Sequence, residues 1–188
     1  MSESAGAGAG RQRIIVTALL LLLVLAAISY IYVTRPQKRL LSVSWAETFQ
    51  SLPALKSHSD LAVMGTITSV LGHLTDNSTG MQYTDFGLVV KRVLNDPNHL
   101  TPLGATLSVH QTGGVDGHIT QEVADDPLFA VGASTVVFLV QYDPGHFKVA
   151  GGPTGRFIVA NGSVHPVNSE GVPFSGSVDA LAHAVAAS

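Results

Sequence analysis

The apolar positions of the chain follow three patterns, and each pattern predicts a different kind of element. Residues 14–33 form one uncharged apolar run of twenty residues. As an α-helix that rises about 1.5 Å per residue, this run spans about 30 Å, the thickness of a bilayer's hydrocarbon core. From residue 61 onward, short runs rich in β-branched residues predict strands. Near the end of the chain, apolar residues recur at helical spacing after Ser177, which predicts a capped C-terminal helix.

The strand pattern covers most of the chain beyond residue 60. Asn161-Gly162 separates the last two runs and tolerates the positive φ angles of a two-residue hairpin turn. Gly65 and Gly87 interrupt the first two runs, where glycine is typical of a bulge or of the sharp coiling of a small barrel. The run 136–140 is apolar at every position, so it predicts a central strand buried on both faces, by sheet neighbours and by the terminal helices. The predicted strands are 61–70, 86–94, 105–111, 134–142, 147–150, 156–160 and 163–167.

A short helix is predicted before the strands. Ser44 and Glu47 have the spacing of a capping box, and Trp45, Phe49 and Leu52 recur at four and three residues to give one apolar stripe. The first ten residues are small or polar and cannot bury enough apolar surface to become ordered. The predicted segments are a disordered tail (1–13), a transmembrane helix (14–33), a linker and short helix (34–56), a β-barrel domain (57–170) and a C-terminal helix (171–188).

The order of elements from residue 51 to 167 resembles a family of uncharacterised bacterial membrane-anchored or secreted proteins with a small β-barrel domain. The segments that carry the resemblance are SHSDLAVMGTITSV (57–70), YTDFGLVVKRVLN (83–95), LSVHQTGG (107–114), DDPLFAVGASTVVFLV (125–140) and GGPTGRFIVANGSV (151–164). The arrangement is also similar to the netrin-like OB barrel of tissue inhibitors of metalloproteinases. The resemblance implies a mainly β fold: a small OB-like (netrin-like) barrel with short flanking helices, plus one N-terminal transmembrane helix. It implies no inhibitory activity, because those inhibitors reach zinc with an N-terminal cysteine and this chain has no cysteine.

Composition excludes several kinds of site and partner. Without cysteine there is no disulfide framework, thiolate zinc site or cysteine nucleophile. Residues 40–188 contain five Lys or Arg and twelve Asp or Glu, and an acidic domain without basic clusters repels phosphate backbones, so we expect no nucleic-acid partner. The glycine-rich segment 151–156 lies between two strands and lacks the following helix of a nucleotide-binding loop. We therefore expect no cofactor.

The apolar run 14–33 is expected to anchor the chain in a lipid bilayer. Tyr30 and Tyr32 lie near its end, where amphipathic rings favour the headgroup region. The competing interpretation is a signal peptide cleaved near residues 24–26, but the apolar run continues through Val33. Two basic residues before the run and three after it favour a cytoplasmic domain by the loop-charge rule. We nevertheless expect an extracytoplasmic domain, because a short tail, one span and a cysteine-free, strand-rich domain are typical of signal-anchored proteins.

Eight histidines are about twice the ordinary share for this length, which raises the question of a metal site. His110 and His118 flank a glycine-containing loop with Asp116 between them, and such a loop can bring two imidazoles and a carboxylate to one zinc ion. The alternative is that these are surface histidines on a strand end and a loop. The eight histidines have no recognisable ligand spacing, so we expect no metal site. If one exists, its candidate ligands are His110, Asp116 and His118.

Other polar groups of the domain favour structural roles over chemistry. Asp125 and Asp126 would suit calcium binding or acid–base catalysis, but an Asp next to Pro127 is typical of turn capping. Arg156 would bind an anion or pair with a carboxylate, and the acidic domain favours pairing. A Ser/Lys hydrolase needs a desolvated lysine, whereas the lysines of the predicted strands lie on half-exposed faces. We therefore expect no enzymatic activity.

The sequence as a whole predicts a single-pass, membrane-anchored, extracytoplasmic binding or interaction module with a protein or small-ligand partner. Barrels of this type bind ligands on an exposed strand face and its flanking loops, so the polar loops 72–81 and 112–126 are the candidate sites. The alternatives are a metal-dependent hydrolase that uses residues 110–118 and a protease-inhibitor-like protein that acts through a loop. The candidate partner-binding residues are Asp76, Asn77, His118, Asp125 and Asp126.

Overall fold

The computed structural model describes the chain from Gly6 to Ser188, with side chains from Val16 onward. The chain divides into two compact units, of which the first ends at Gln37 and the second is Lys38–Ser188.

The first unit contains one long helix, α1 (Gly6–Thr34, 29 residues). Its segment Val16–Thr34 is long and apolar enough to cross a bilayer, so the expected N-terminal apolar helix is confirmed. Residues 6–13, assigned above to a disordered tail, are helical instead, while residues 1–5 of that tail lie outside the described residues. Once a helix exists, each added hydrogen bond orders only one more residue, so α1 extends through residues 6–10 although every second residue there is a glycine, a weak helix former.

The second unit is mainly β. All seven predicted strands are present, and three short ones, β1, β5 and β10, were not predicted from the sequence. Strand β1 lies in the expected linker and pairs with β5, with Lys38 ion-paired to Glu122. The bounds are β1 (Gln37–Leu41), α2 (Leu52–Ser57), β2 (Leu61–Thr75), β3 (Gln82–Asn95), β4 (Thr106–Asp116), β5 (Ile119–Val123), β6 (Ser134–Asp143), β7 (His146–Val149), a 3-10 turn (Gly152–Gly155), β8 (Arg156–Ala160), β9 (Ser163–Pro166), β10 (Gly176–Ser177) and α3 (Val178–Ala187).

Five strands close into a small barrel, which confirms the expected mainly β fold with a small barrel. Strand β2 pairs with β3 on one side and β6 on the other, β3 pairs with β4, and β7 closes the ring between β4 and β6. The β4–β7 pair is parallel and the other pairs are antiparallel. Strand β8 continues along β6 after the 3-10 turn and leads into the β8–β9 hairpin outside the ring.

The buried side chains form two clusters, one on each side of β6. Val137 and Leu139 point into the barrel interior, whereas Val136 and Phe138 pack in an outer cluster with side chains of α2, α3, β8 and β9. The predicted burial of this strand on both faces is therefore confirmed, and Phe138 has no exposed surface. Because both clusters contain side chains of β6, this strand packs against the barrel interior on one face and against α2 and α3 on the other.

The two glycines predicted at barrel corners lie at irregularities of the β2–β3 pair. The register shifts between Met64 and Gly65, and again just before Ser69, which pairs with Gly87. A Cβ at Gly65 would lie 2.7 Å from the Val89 carbonyl oxygen, which is closer than a carbon and an oxygen can approach. Glycine at this position therefore permits the two long strands to coil tightly.

Outside the barrel, the predicted hairpin turn and helix cap are present, whereas the predicted helix at Ser44 is not. The Asn161-Gly162 hairpin has positive φ at both residues, and the Ser177 hydroxyl caps α3, both as predicted. The helix expected from Ser44 is not formed; residues 42–50, here called the strap, have no helix, and α2 begins at Leu52. The amide of Phe49 donates to the Thr154 hydroxyl over 3.2 Å instead of to a preceding turn, so tertiary contacts replace the helical bonds.

Candidate ligand-binding face

The outer surface of strands β3 and β4 carries polar and aromatic side chains that alternate with the barrel core. On β3, Tyr83 and Asp85 alternate with the buried Phe86, and on β4, His110 follows the buried Val109. The antiparallel register places Asp85 directly opposite His110. Residues directly opposite in a sheet have side chains on the same face and within contact distance, so the fold itself builds this pair.

An imidazole–carboxylate pair lies at the centre of this surface, with aromatic rings around it. The Nδ1 atom of His110 is 2.6 Å from Oδ1 of Asp85. The ring of Tyr83 is stacked on His110 with centroids 5.1 Å apart, and Tyr142 of β6 meets the imidazole edge-on at 6.1 Å. The ring of His146 lies 6.1 Å from that of Tyr142. The successive rings Tyr83, His110, Tyr142 and His146 are called here the aromatic row.

Hydrogen-bond partners determine which ring nitrogens of the row remain available. His110 faces a carboxylate through Nδ1, and His146 faces the Pro144 carbonyl through Nδ1 at 3.1 Å. Both oxygens accept hydrogen bonds, so each Nδ1 carries a proton. Within the described residues, neither Nε2 atom nor Oδ2 of Asp85 has a hydrogen-bond partner. The row therefore presents one carboxylate oxygen and two imidazole nitrogens that have no partner among these residues.

The surface around Tyr142 is electronegative. Partial burial raises the pKa of the Tyr142 phenol above its ordinary value, and the negative charges of Asp85 and Asp143 raise it further. About half of the Tyr142 residue is nevertheless exposed. The row thus combines an accessible aromatic ring with two nearby carboxylates.

The strap forms one wall of a groove that continues from the row. A cavity of about 140 Å³ lies between His110, Thr112 and Trp45 of the strap. A second cavity, of about 420 Å³, lies between Glu47 of the strap, His58 and the apolar wall of β6 and β7. Lys148 and Val149 line both cavities, so the two cavities are neighbours, and together they are called here the groove.

The glycine-rich segment 151–156 packs against the strap. Gly151 and Gly152 both have positive φ, and a Cβ at Gly152 would lie 2.4 Å from the Trp45 ring. A Cβ at Gly151 would similarly lie 2.7 Å from the ring of Phe49. These two glycines therefore leave the space that the two strap aromatics occupy.

A buried ion pair joins the loop between β5 and β6 to the start of β8. Arg156 donates to Oδ1 of Asp126 over 2.9 Å and to the Pro127 carbonyl, and its guanidinium lies 3.9 Å from the centre of the Phe129 ring. Burial raises the pKa of Asp126 and lowers that of Arg156, while the charge of each partner acts in the opposite direction. The expected pairing of Arg156 with a domain carboxylate is therefore confirmed.

Gln111 holds the same loop from inside the sheet. Its amide nitrogen donates to the Pro127 carbonyl over 3.0 Å, and its amide oxygen accepts from the Phe129 amide over 2.9 Å. Asp125 accepts from the Trp45 indole over 2.8 Å. Asp126 thus binds Arg156 and Asp125 binds Trp45 of the strap, so both carboxylates have protein partners.

The other candidate residues named from the sequence lie at separate turns. Asp76 accepts from the amide and hydroxyl of Ser78 in the β2–β3 turn, and these bonds lower its pKa. Asn77 is exposed at the same turn, whereas Asp116 and His118 are exposed at the β4–β5 turn. No hydrogen bond or ion pair among the described residues joins these groups to the aromatic row or to each other.

The acidic and imidazole side chains bear on catalysis and metal binding in two ways. Among the residues that the structure describes, no three His, Asp or Glu side chains are grouped so as to hold a metal ion. The Asp85–His110 pair has the geometry that orients a general base. No hydroxyl of the described residues is hydrogen-bonded to Nε2 of His110.

Most of the aromatic row was not selected from the sequence. The sequence groups His110 with Asp116 and His118 and does not single out Tyr83, Asp85 or Tyr142. The available signal is alternation on β3 and β4, because Tyr83, Asp85 and His110 take outward positions next to buried positions of their strands. The strand register that pairs residues 25 positions apart cannot be read from alternation alone.

A comparison of the chain with protein-family models finds no match, and a comparison with curated proteins finds none either. The function is therefore inferred from the geometry of the site.

Proposed function

We propose that the protein is a membrane-anchored, extracytoplasmic binding module whose ligand lies on the aromatic row. The observation that carries the proposal is the set of aromatic rings around the Asp85–His110 pair, together with Oδ2 of Asp85 and Nε2 of His110, which have no partner in the described part of the chain. These two atoms leave part of the hydrogen-bonding capacity at the centre of the row unused.

The topology of the barrel supports this location. In OB barrels, ligands bind on the face of the second and third strands and on the loops that follow the first and fourth strands. The second and third strands of this barrel are β3 and β4, which carry Tyr83, Asp85 and His110. The loop after the fourth strand, β6, lies between Tyr142 and His146. The row therefore occupies the surface that an OB-like barrel offers to ligands.

The segment Val16–Thr34 supports the membrane anchor, since its length matches a hydrocarbon core and it carries no charge. The loop-charge rule favours the opposite orientation only by one basic residue. An anchored extracytoplasmic barrel would hold its binding face among the molecules outside the cytoplasmic membrane.

The absence of cysteine in the sequence provides a direct test by labelling in cells. Single reporters are introduced as Asp143→Cys, at the rim of the row, and as Ile158→Cys, on β8 outside the ring. Intact cells are treated with a membrane-impermeant maleimide, and the labelling rates are compared with those of the purified full-length protein. We expect both reporters to react in intact cells, with the rim reporter selectively slowed relative to its rate in the purified protein.

Two results would count against the proposal. Reaction of both reporters only after the membrane is broken would refute an extracytoplasmic domain. An unchanged ratio of the two rates between cells and purified protein would mean that nothing covers the row.

A further inference from the structure

We infer that the ligand of the aromatic row is a neutral glycan chain, an inference that rests on the proposed binding function. Three properties of the row determine the chemistry of its ligand: the polarity of the free hydrogen-bonding atoms, the charge around them and the arrangement of the rings.

The free atoms of the row favour a ligand that donates hydrogen bonds and carries no negative charge. Oδ2 of Asp85 accepts, and the Nε2 atoms of His110 and His146 have no partner among the described residues. Carboxylate and phosphate groups are anionic at neutral pH, and the carboxylates of Asp85 and Asp143 repel them. Lys148 of β7, beside His110, is the opposing charge. Sugar hydroxyls both donate and accept without carrying charge, so they match these atoms.

The rings favour a ligand with apolar faces that contacts several of them in turn. Successive centroids of the row are 5.1, 6.1 and 6.1 Å apart, with Tyr83 stacked on His110 and Tyr142 edge-on to it. A compact ammonium group is bound by rings that all face it, whereas here Tyr83 and His110 face each other. A pyranose has a face of C–H groups that can stack on Tyr142, and a chain of such units can follow the row into the groove beside Lys148.

The backbone of the face disfavours an extended peptide. A peptide that adds to a sheet needs an edge strand with free amides and carbonyls. At the row, β3 is paired on both sides by β2 and β4, and β4 is paired by β3 and β7. On β3 and β4, recognition must therefore come from side chains, as it does for sugars that stack on rings and donate to carboxylates.

The test uses the full-length protein in lipid nanodiscs and isothermal titration calorimetry. The glycan probes are cellohexaose, chitohexaose and maltohexaose, which are neutral and differ in linkage and substituents. Spermidine, inorganic phosphate and an uncharged ten-residue Ser/Thr-rich peptide are the competing probes. Binding of at least one hexasaccharide, without comparable binding of the competing probes, is the expected result.

Variants assign the binding to the row. Tyr142→Ala removes the stacking ring and should weaken glycan binding by about tenfold, whereas Tyr142→Phe keeps the ring and should stay within about threefold of the wild type. Asp85→Asn removes a charged acceptor and should weaken binding, whereas Ile158→Ala, outside the barrel ring, should not change it.

Three results would overturn the inference: no binding of any hexasaccharide, tighter binding of spermidine or the peptide at the row, or glycan binding that Tyr142→Ala leaves unchanged. The labelling experiment keeps the two proposals distinct. If the rim reporter is protected in cells while no glycan binds, the binding module stands and the glycan inference fails.

Discussion

Removal of the Arg156 charge is the perturbation whose cost the structure defines best. Side-chain exposure is only 8% for Arg156 and 4% for Asp126, so Arg156→Met leaves a buried carboxylate without its partner. Breaking a buried ion pair on one side costs about 3–5 kcal/mol, because the remaining charge is desolvated and unpaired. The variant also loses the bond to the Pro127 carbonyl and the contact with the Phe129 ring. We therefore expect the free energy of unfolding to fall by about 3–5 kcal/mol.

The assay is urea unfolding of the full-length protein in mild detergent, followed by the fluorescence of Trp45, the single tryptophan. A lower midpoint with an unchanged slope reports a change in stability, and hydrogen exchange of β6 provides a second probe. Asp126→Asn in the Arg156→Met background should restore part of the loss, because no buried charge remains. The matched control is Arg92→Met, which breaks the exposed pair with Asp179 and should cost less than about 1 kcal/mol. A loss below about 1 kcal/mol for Arg156→Met would refute the reasoning.

Three further predictions follow from the packing and charges of the barrel. Phe138→Ala should cost about 3–5 kcal/mol in the same urea assay through lost burial and a cavity, and a change below about 1 kcal/mol would mean that the outer cluster is misplaced. Gly152→Ala should displace Trp45 and shift its emission to the red, while Gly162→Ala, where a Cβ meets open space, should leave the emission unchanged; equal spectra would contradict the packing of the strap. Asp85→Asn should lower the pKa of Tyr142 toward its ordinary value, measured by ultraviolet titration with Tyr142→Phe as the reference. An unchanged pKa would argue against an interaction between the Asp85 charge and the Tyr142 phenol.

Local patterns were sufficient to predict most of the fold. The β-branched runs identified seven strands, and the Asn161-Gly162 turn and the Ser177 cap are formed by neighbouring residues, so no tertiary information was needed. The strap was predicted wrongly for the opposite reason. Ser44 and Glu47 have the spacing of a helix start. The tertiary contacts of Trp45 and Phe49 with Gly151 and Gly152 nevertheless outweigh this local preference.

The candidate site depends on long-range register, which the sequence does not display. His110 meets Asp85 because β3 and β4 pair in one register, and it meets Tyr142 because β7 closes the ring between β4 and β6. A shift of one residue in either pair would turn these side chains to the other face. The pairing of Arg156 was predicted from the charge of the domain, but its partner Asp126 could be identified only from the structure.

Photo-crosslinking in native membranes tests the central claim most directly, because it reports contact with the aromatic row in the cell. A benzophenone amino acid replaces Tyr142 in one protein and Ile158 in another, and both are irradiated in intact cells. The account predicts that a covalent adduct forms from position 142 and is absent or much weaker from position 158. Adducts in equal yield from both positions, or from neither, would contradict a binding face on this side of the barrel.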